Sequence, residues 1–272
     1  MANAAESVEA SAAKPLALFA SEMRDIGWSM FPQILPLAQV EAMRSDALRW
    51  IERCKHMQIK AGINEAGDGT AHHAVGGDDA LDAFLHQHLF HPYLEQYFAG
   101  KPYILHAANP LYNAPHKLAY VHAIHRDTAT VIPDYPFRIN MLVMLNDFTL
   151  ENGATQILPH SHSMLHKPSE ELFNAGYHDL VGKAGSVVLF DSYLWHRGGK
   201  NTSDALRVAH TLSFGPAYIK PQMDYARMLG EERGKNFSPL SRQLLGYNAR
   251  VPTSHDEWYR KKDDRLYHAD QG

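Results

Sequence analysis

The residues best suited to chemistry are an imidazole, a carboxylate and a second imidazole, at His125, Asp127 and His196. If the chain around His125 forms a strand, residues two apart point to the same side, so the first imidazole and the carboxylate converge. His196, on a distant strand, would add a third ligand. Two nitrogens and one oxygen on one side of a metal suit a non-haem Fe(II) centre, because the opposite positions stay open for a co-substrate and O₂.

A second group of residues suits the binding of a small anion. Arg207, Ala209, Thr211 and Ser213 alternate along one predicted strand and therefore share a face. A guanidinium beside a small residue and two hydroxyls can hold a carboxylate through paired hydrogen bonds. The ordinary alternative is a surface arginine at the start of a strand. The position of Arg207 shortly after His196 favours the anion site.

Composition is that of an ordinary folded protein, with 272 residues, 45% hydrophobic and 21% charged, and a formal net charge of −4. No long block of like charge occurs, so neither nucleic acid nor a membrane surface is an expected partner. Cys54 is the one cysteine, which excludes an intramolecular disulfide and a cysteine-based zinc site. No apolar run could span a bilayer, and residues 1–13 lack the pattern of a secretory signal, so we expect a cytoplasmic location.

The elements that must position these residues are helical at both ends and β-rich between. We predict a disordered tail at residues 1–14 and a single domain at 15–272, with a barrel core at about 103–220. Short strands separated by turn residues predict a sandwich or jelly-roll barrel, because βαβ units would need helices between the strands. The predicted strands are 103–111, 119–125, 137–145, 155–158, 186–190 and 207–214.

These motifs together resemble the phytanoyl-CoA dioxygenase family. Their order and spacing match, and the segments 25–28 and 244–247 extend the resemblance to nearly the whole chain. The motifs that carry it are HRDT at 125–128, ENGATQILPHSH at 151–162, and WHR at 195–197 followed by Asn201 and Arg207.

The resemblance implies a mainly β fold with flanking helices, a double-stranded β-helix of the jelly-roll or cupin type, that uses Fe(II), 2-oxoglutarate and O₂. It makes His125, Asp127 and His196 the iron ligands. It also pairs Arg207 with the distal carboxylate of 2-oxoglutarate, with Thr155 assisting. Family chemistry releases succinate and CO₂ and oxidises an unactivated C–H bond, by hydroxylation in most cases and by desaturation or cyclisation in others.

Three further positions bear on reaction type and co-substrate. Halogenating relatives have a small residue where Asp127 stands, so a hydroxylase is favoured over a halogenase. Some relatives place a co-substrate-binding Gln at the position of His122. Strict alternation would turn His122 away from His125, so only a bulge could bring it into the site. Ser213, on the face of Arg207, is another candidate for contact with the co-substrate.

The 137–145 strand is the best guide to the substrate. If Leu142 faces the cavity, Arg138 and Asn140 do too, and the residues between them pack outward under helices. A buried arginine implies an anionic partner, such as a substrate carboxylate or phosphoryl group. The alternative, a strand-edge Arg138 paired with Asp134, stays equally open.

Other substrate contacts and other functions remain candidates as well. Asn109 is a further pocket candidate, and His72 or His73 is another. A small-molecule substrate is expected, and an acyl-CoA is disfavoured because no basic cluster suits its diphosphate. A metal-binding barrel without oxygenase activity would keep the fold, although it would have no need of Arg207. A zinc or manganese isomerase or hydrolase could use the same ligands.

Overall fold

Helices form the first third of the chain, as the apolar periodicity predicts. The computed structural model describes residues 14–63, 69–117, 119–133 and 135–271, so most of the predicted disordered tail lies outside the described residues. Helix α2 buries Val40, Met43, Ala47 and Ile51, which recur at the spacing of one helical face. The elements of this part are α1 (Leu16–Asp25), β1 (Trp28–Phe31), α2 (Leu37–Lys60), α3 (Ala80–Gln87) and α4 (His91–Tyr97).

Two antiparallel sheets follow. The larger has the order β1-β6-β3-β8-β2, which places β3 and β8 at its centre, and the smaller has the order β5-β4-β7. The larger sheet adds β2 (Tyr103–Asn113), β3 (Ile139–Met144), β6 (Val187–Asp191) and β8 (Arg207–Pro216) to β1. The smaller consists of β4 (Gln156–Ile157), β5 (His178–Asp179) and β7 (His196–Arg197).

Alternation along β3 creates two cores on opposite faces of the larger sheet. Ile139, Met141 and Val143 pack with residues of the helices, whereas Leu142 and Met144 pack with residues around the smaller sheet. All five side chains are buried, and each fully buried aliphatic side chain contributes about 1.5–3 kcal/mol. The predicted two faces of this strand are therefore confirmed, and the sheets face each other across the second core.

The fold is mainly β with flanking helices, of the jelly-roll type. The two sheets do not join into one continuously hydrogen-bonded barrel within the residues described. Helix α5 (Glu170–Gly176) links β4 to β5, and α6 (Tyr225–Leu229), α7 (Glu231–Gly234), α8 (Pro239–Leu244) and α9 (His255–Trp258) follow β8. No helix in the described ranges is both long and apolar enough to cross a bilayer.

The strand predicted at 119–125 is wrong. Residues Tyr120–His122 form one turn of 3-10 helix, and only an isolated bridge pairs His125 with His196. The cause is local hydrogen bonding. The backbone N–H of His122 donates to the carbonyl of Ala119 at 3.0 Å, and the Nδ1 of the same histidine accepts from the N–H of Ala119 at 2.8 Å. Such short-range bonds compete with strand pairing and close the turn instead.

Candidate active site

Three potential metal-binding groups converge at one end of the smaller sheet. The ligand atoms of His125, Asp127 and His196 lie within 4.8 Å of one another. The Nε2 of His125 is 3.9 Å from Oδ1 of Asp127, and the Nε2 of His196 is 3.8 Å from Oδ2. This donor set of two nitrogens and a carboxylate on one side fits Fe(II).

The pairing of His125 with His196 brings the two imidazoles together. Each residue donates its backbone N–H to the carbonyl of the other at 2.9 Å, and the ring centroids lie 4.3 Å apart. The backbone N–H of Asp127 donates to the carbonyl of Ser192 at 3.1 Å, which holds the carboxylate beside them. The three side chains therefore converge as predicted, but no strand brings them together. The bridge between His125 and His196 and the hydrogen bond from Asp127 to Ser192 do so instead.

Hydrogen bonds also set the imidazole tautomers. The Nδ1 of His125 lies 2.8 Å from the carbonyl oxygen of Ala123, and the Nδ1 of His196 lies 2.9 Å from that of Leu194. A carbonyl oxygen only accepts, so both Nδ1 atoms carry the proton and both Nε2 lone pairs face Asp127. Burial, together with the electrostatic effect of the neighbouring His196 imidazole, lowers the pKa of His125 and favours its neutral, metal-binding form.

Asn140 orients the carboxylate. Its Nδ2 donates to Oδ2 of Asp127 at 2.7 Å, and its backbone pairs with Phe190 on one side and Ser213 on the other. The amide thus projects from the centre of the larger sheet, where its position is rigid. The predicted substrate contact at Asn140 lies in the cavity, but its amide nitrogen is engaged by Asp127.

We expect Asn140→Leu to weaken Fe(II) binding by about 10–100-fold, because the loss of a hydrogen bond to a metal ligand has this effect. Leucine keeps the shape of the side chain and removes its polar atoms. Anaerobic calorimetric titration with Fe(II) measures the change. Thr211→Val is the matched control, because Thr211 also lines the cavity but its hydroxyl donates to the carbonyl of Asn109. Equal losses of affinity in both variants would contradict the positioning role.

The ligand groups open into a cavity of about 340 Å³, a volume typical of small-molecule sites. The larger sheet supplies half of the residues that line it, and the smaller sheet and the connecting segments, among them those before α3 and after β8, supply the others. The predicted site residues on this wall are Asn109, His125, Asp127, Arg138, Asn140, Thr155, His196, Arg207 and Ser213.

Arg207 is a buried cation at one end of this cavity. It is 2% exposed, its Nη1 donates to the hydroxyl of Thr155 at 2.8 Å, and its guanidinium lies 4.6 Å from the ring centroid of Phe148. Its Nε has no hydrogen-bond partner among the described residues. Burial lowers the pKa of the guanidinium to about 10, so the group remains charged at neutral pH. A buried cation with an unused donor is suited to bind an anion.

Two glycines bring Thr155 close to Arg207. Gly153 has a φ of 76°, and a Cβ there would collide with the carbonyl oxygen of Gly199. The side-chain amide of Asn113 donates to this same carbonyl at 2.9 Å. The close approach of the two backbones explains why the turn before Thr155 requires glycine.

The remaining predicted residues divide between the cavity and its surroundings. His122 lies beside a small space of about 20 Å³ next to Arg207 and does not line the main cavity. Its Nε2 is 3.3 Å from Oδ1 of Asn113, and burial lowers its pKa. His72 lines the cavity, whereas the Nδ1 of His73 lies 2.8 Å from the hydroxyl of Tyr225.

Sequence reasoning missed several residues of the cavity wall. Phe190 contacts the ring of His196 edge-on at 5.2 Å, and it lies on a predicted strand whose alternation could have identified it. Val121 lies in the segment predicted as a strand, and alternation from His125 would have placed it on the same face. Gln222 lies on a connecting segment that has no periodicity, so no sequence signal marks it.

The fold and the site together define a class: jelly-roll proteins with a candidate metal centre of two histidines and one carboxylate. Within it, the chain belongs to the phytanoyl-CoA dioxygenase (PhyH) family, whose model matches residues 23–209. The family implies Fe(II) as the metal and 2-oxoglutarate and O₂ as co-substrates, and the donor set of this chain fits Fe(II).

Similar sequences include both uncharacterized proteins and named dioxygenases. The uncharacterized protein Rv1501 of Mycobacterium tuberculosis is 36% identical over 153 residues, which cover 56% of this chain and 56% of that protein. The match thus spans little more than half the length of that relative. Dioxygenase cdmD of Talaromyces verruculosus is 26% identical over 228 residues, which cover 78% of this chain and 72% of that protein.

Solved structures confirm the fold class. EctD from S. alaskensis, in its apoform, superposes with a TM-score of 0.63 at 18% identity, covering 85% of this chain and 86% of that one. AviO1 from Streptomyces viridochromogenes gives a TM-score of 0.59 at 20% identity, covering 76% of this chain and 97% of that one. At such identities the likeness supports the fold alone.

Proposed function

We propose that this protein is a 2-oxoglutarate-dependent dioxygenase that hydroxylates an unactivated C–H bond of a small molecule. The observation that carries the proposal is the combination, in one cavity, of a two-histidine, one-carboxylate set and the buried Arg207, which has no ionic partner among the described residues. A structural metal site would not need the arginine. A binding module, or a zinc or manganese hydrolase, would not need an anion-binding arginine beside the metal.

In this proposal, His125, Asp127 and His196 hold the iron and Asn140 orients the carboxylate. Arg207 binds the distal carboxylate of 2-oxoglutarate, and Thr155, which already accepts a hydrogen bond from Arg207, supports the guanidinium. Iron with its co-substrate supplies the oxidation of the C–H bond. The protein's part is to orient the substrate and to exclude water from the cavity.

The remaining assignments concern co-substrate contacts and reaction type. His122 lies next to Arg207 but outside the main cavity. In this proposal it supports the guanidinium of Arg207 and does not contact the co-substrate. Ser213 accepts from Arg138 at 2.8 Å, so it acts with Arg138 at the other end of β8. The carboxylate of Asp127 takes a place in the ligand set that a halide would need. We therefore propose hydroxylation over halogenation, with desaturation and cyclisation as the related outcomes.

The test is an anaerobic titration of metal-free protein with Fe(II) and then 2-oxoglutarate. A visible charge-transfer band should appear only when both are present, because the keto acid must chelate the iron. Zn(II) is the matched control. It has a filled d shell, so it should occupy the same ligands without producing a band. Failure to form the band with Fe(II) bound would refute the proposed function. If the band forms, succinate release can then be used to screen substrates.

A further inference from the structure

The cavity contains a second guanidinium that the binding of iron and 2-oxoglutarate does not use. Arg138 precedes β3, its Nε donates to the hydroxyl of Ser213 at 2.8 Å, and its Nη1 lies 3.5 Å from the carbonyl oxygen of Asp127. Both partners are neutral groups, and the second contact is at the limit of a hydrogen bond. Among the described residues no carboxylate lies within ion-pairing distance of Arg138. The alternative partner Asp134 lies outside the described residues.

The ionisable groups of the cavity leave an excess of one positive charge. Apart from histidines, the ionisable side chains on its wall are one carboxylate, Asp127, and two guanidinium groups, Arg138 and Arg207. If the proposed function holds, a divalent iron and a doubly charged 2-oxoglutarate cancel each other. The single negative charge of Asp127 then balances only one of the two arginines. One positive charge remains in a partly desolvated cavity, which favours a ligand with one negative charge.

The two arginines serve different ends of the cavity. The head group of Arg138 lies beside Ser213, whereas the backbone of Arg207 lies six positions earlier on the same strand, roughly 20 Å from that of Ser213 at about 3.3 Å per residue. The guanidinium of Arg207 lies against Thr155 and Phe148, and that of Arg138 lies against Ser213 and the backbone of Asp127. The carbon chain of 2-oxoglutarate spans only about 6 Å at ~1.5 Å per bond. A co-substrate held by Arg207 therefore leaves Arg138 free for another anion.

We infer that the substrate is a small carboxylic acid, held by Arg138 at the end of the cavity opposite Arg207. The planar fork of a guanidinium matches a carboxylate, and Ser213 fixes the orientation of that fork. Because Arg138 lies next to the backbone of Asp127, the bound carboxylate lies close to the metal ligands. The oxidised C–H bond is accordingly only a few bonds from the carboxylate.

A matched set of simple probes tests this inference. Protein loaded with Zn(II) and saturating 2-oxoglutarate is titrated with benzoate, benzamide and phenylphosphonate, and binding is measured by ligand-observed NMR. These probes share a ring and differ only in the attached group. Benzoate should bind about 10-fold or more tightly than benzamide, because hydrogen bonds to a charged group add this much affinity. The difference should disappear in Arg138→Gln and persist in part in Arg138→Lys.

The controls separate this inference from the proposed function. Retention of Zn(II) and 2-oxoglutarate by Arg138→Gln shows that the variant is folded and that Arg207 still serves the co-substrate. If wild-type protein does not bind Zn(II) and 2-oxoglutarate, the proposed function itself fails. If both bind but benzoate binds no more tightly than benzamide, or still does so in Arg138→Gln, only the Arg138 assignment fails.

A preference for phenylphosphonate would show that the anion bound by Arg138 is a phosphoryl group and not a carboxylate. Asp134→Asn should leave the benzoate affinity unreduced, and a loss there would also contradict the assignment.

Discussion

Replacing Asp127 with alanine is expected to abolish succinate release and to remove most of the affinity for Fe(II). The carboxylate contributes the one negative charge of the ligand set, and it lies within 4 Å of both Nε2 atoms. Removal of a group that merely supports a ligand weakens metal binding by about 10–100-fold, so removal of the ligand itself should exceed that range. Anaerobic calorimetry with Fe(II), together with a succinate assay, measures both effects.

The fold should survive this substitution, because the Asp127 side chain is 35% exposed and the cost is confined to the buried amide of Asn140, which loses its acceptor at about 1–3 kcal/mol. Asp204→Ala is the control for loss of a surface carboxylate, since Asp204 is fully exposed. It should bind Fe(II) as the wild type does. Normal Fe(II) affinity in Asp127→Ala would show that the assigned ligand set is wrong.

Replacing Arg207 with alanine is expected to weaken 2-oxoglutarate binding by about 100-fold or more while Fe(II) binding persists. The guanidinium is buried, and loss of one partner from a buried charge pair costs about 2–5 kcal/mol. The chelate band should therefore require far higher concentrations of 2-oxoglutarate. Anaerobic titration of the Fe(II)-loaded variant, monitored by visible absorbance, gives the dissociation constant.

Two further variants make this result specific. Arg207→Lys keeps the charge but loses the planar pair of N–H donors, so we expect an intermediate affinity for 2-oxoglutarate. Arg197→Ala removes an arginine whose Nη1 pairs with Glu170, outside the cavity, and it should leave the titration unchanged. An unaltered dissociation constant in Arg207→Ala would exclude this residue as the co-substrate anchor.

Periodicity correctly predicted those parts of the site that lie on long strands. Alternation on β8 placed Arg207, Thr211 and Ser213 on the cavity wall, and alternation on β3 placed Asn140 there and Ile139 under the helices. Both strands lie in the interior of the sheet and are buried on both faces, so packing fixes the direction in which each side chain points.

The parts that sequence could not predict depend on contacts between distant segments. Strands β4, β5 and β7 have two residues each, too few for any periodic signal. The turn that ends at His122 is made by its own side chain, which overrides the extended pattern of the sequence. The bond from Asn140 to Asp127 depends on how the loop that carries Asp127 lies over β3, and this relation is tertiary.

The reciprocal bonds between His125 and His196 have a consequence for how the rim of the cavity opens. Residues 119–133, as described, form no strand, and this pair ties them to the smaller sheet. One ion held by both imidazoles would act as a cross-link between the two segments. At a free metal concentration 100 times the dissociation constant, this linkage adds about 2.7 kcal/mol against any opening that separates them. Bound iron would thus keep residues 119–133 paired with the smaller sheet for longer. The backbone amides of this segment would then exchange with solvent more slowly once the metal is bound.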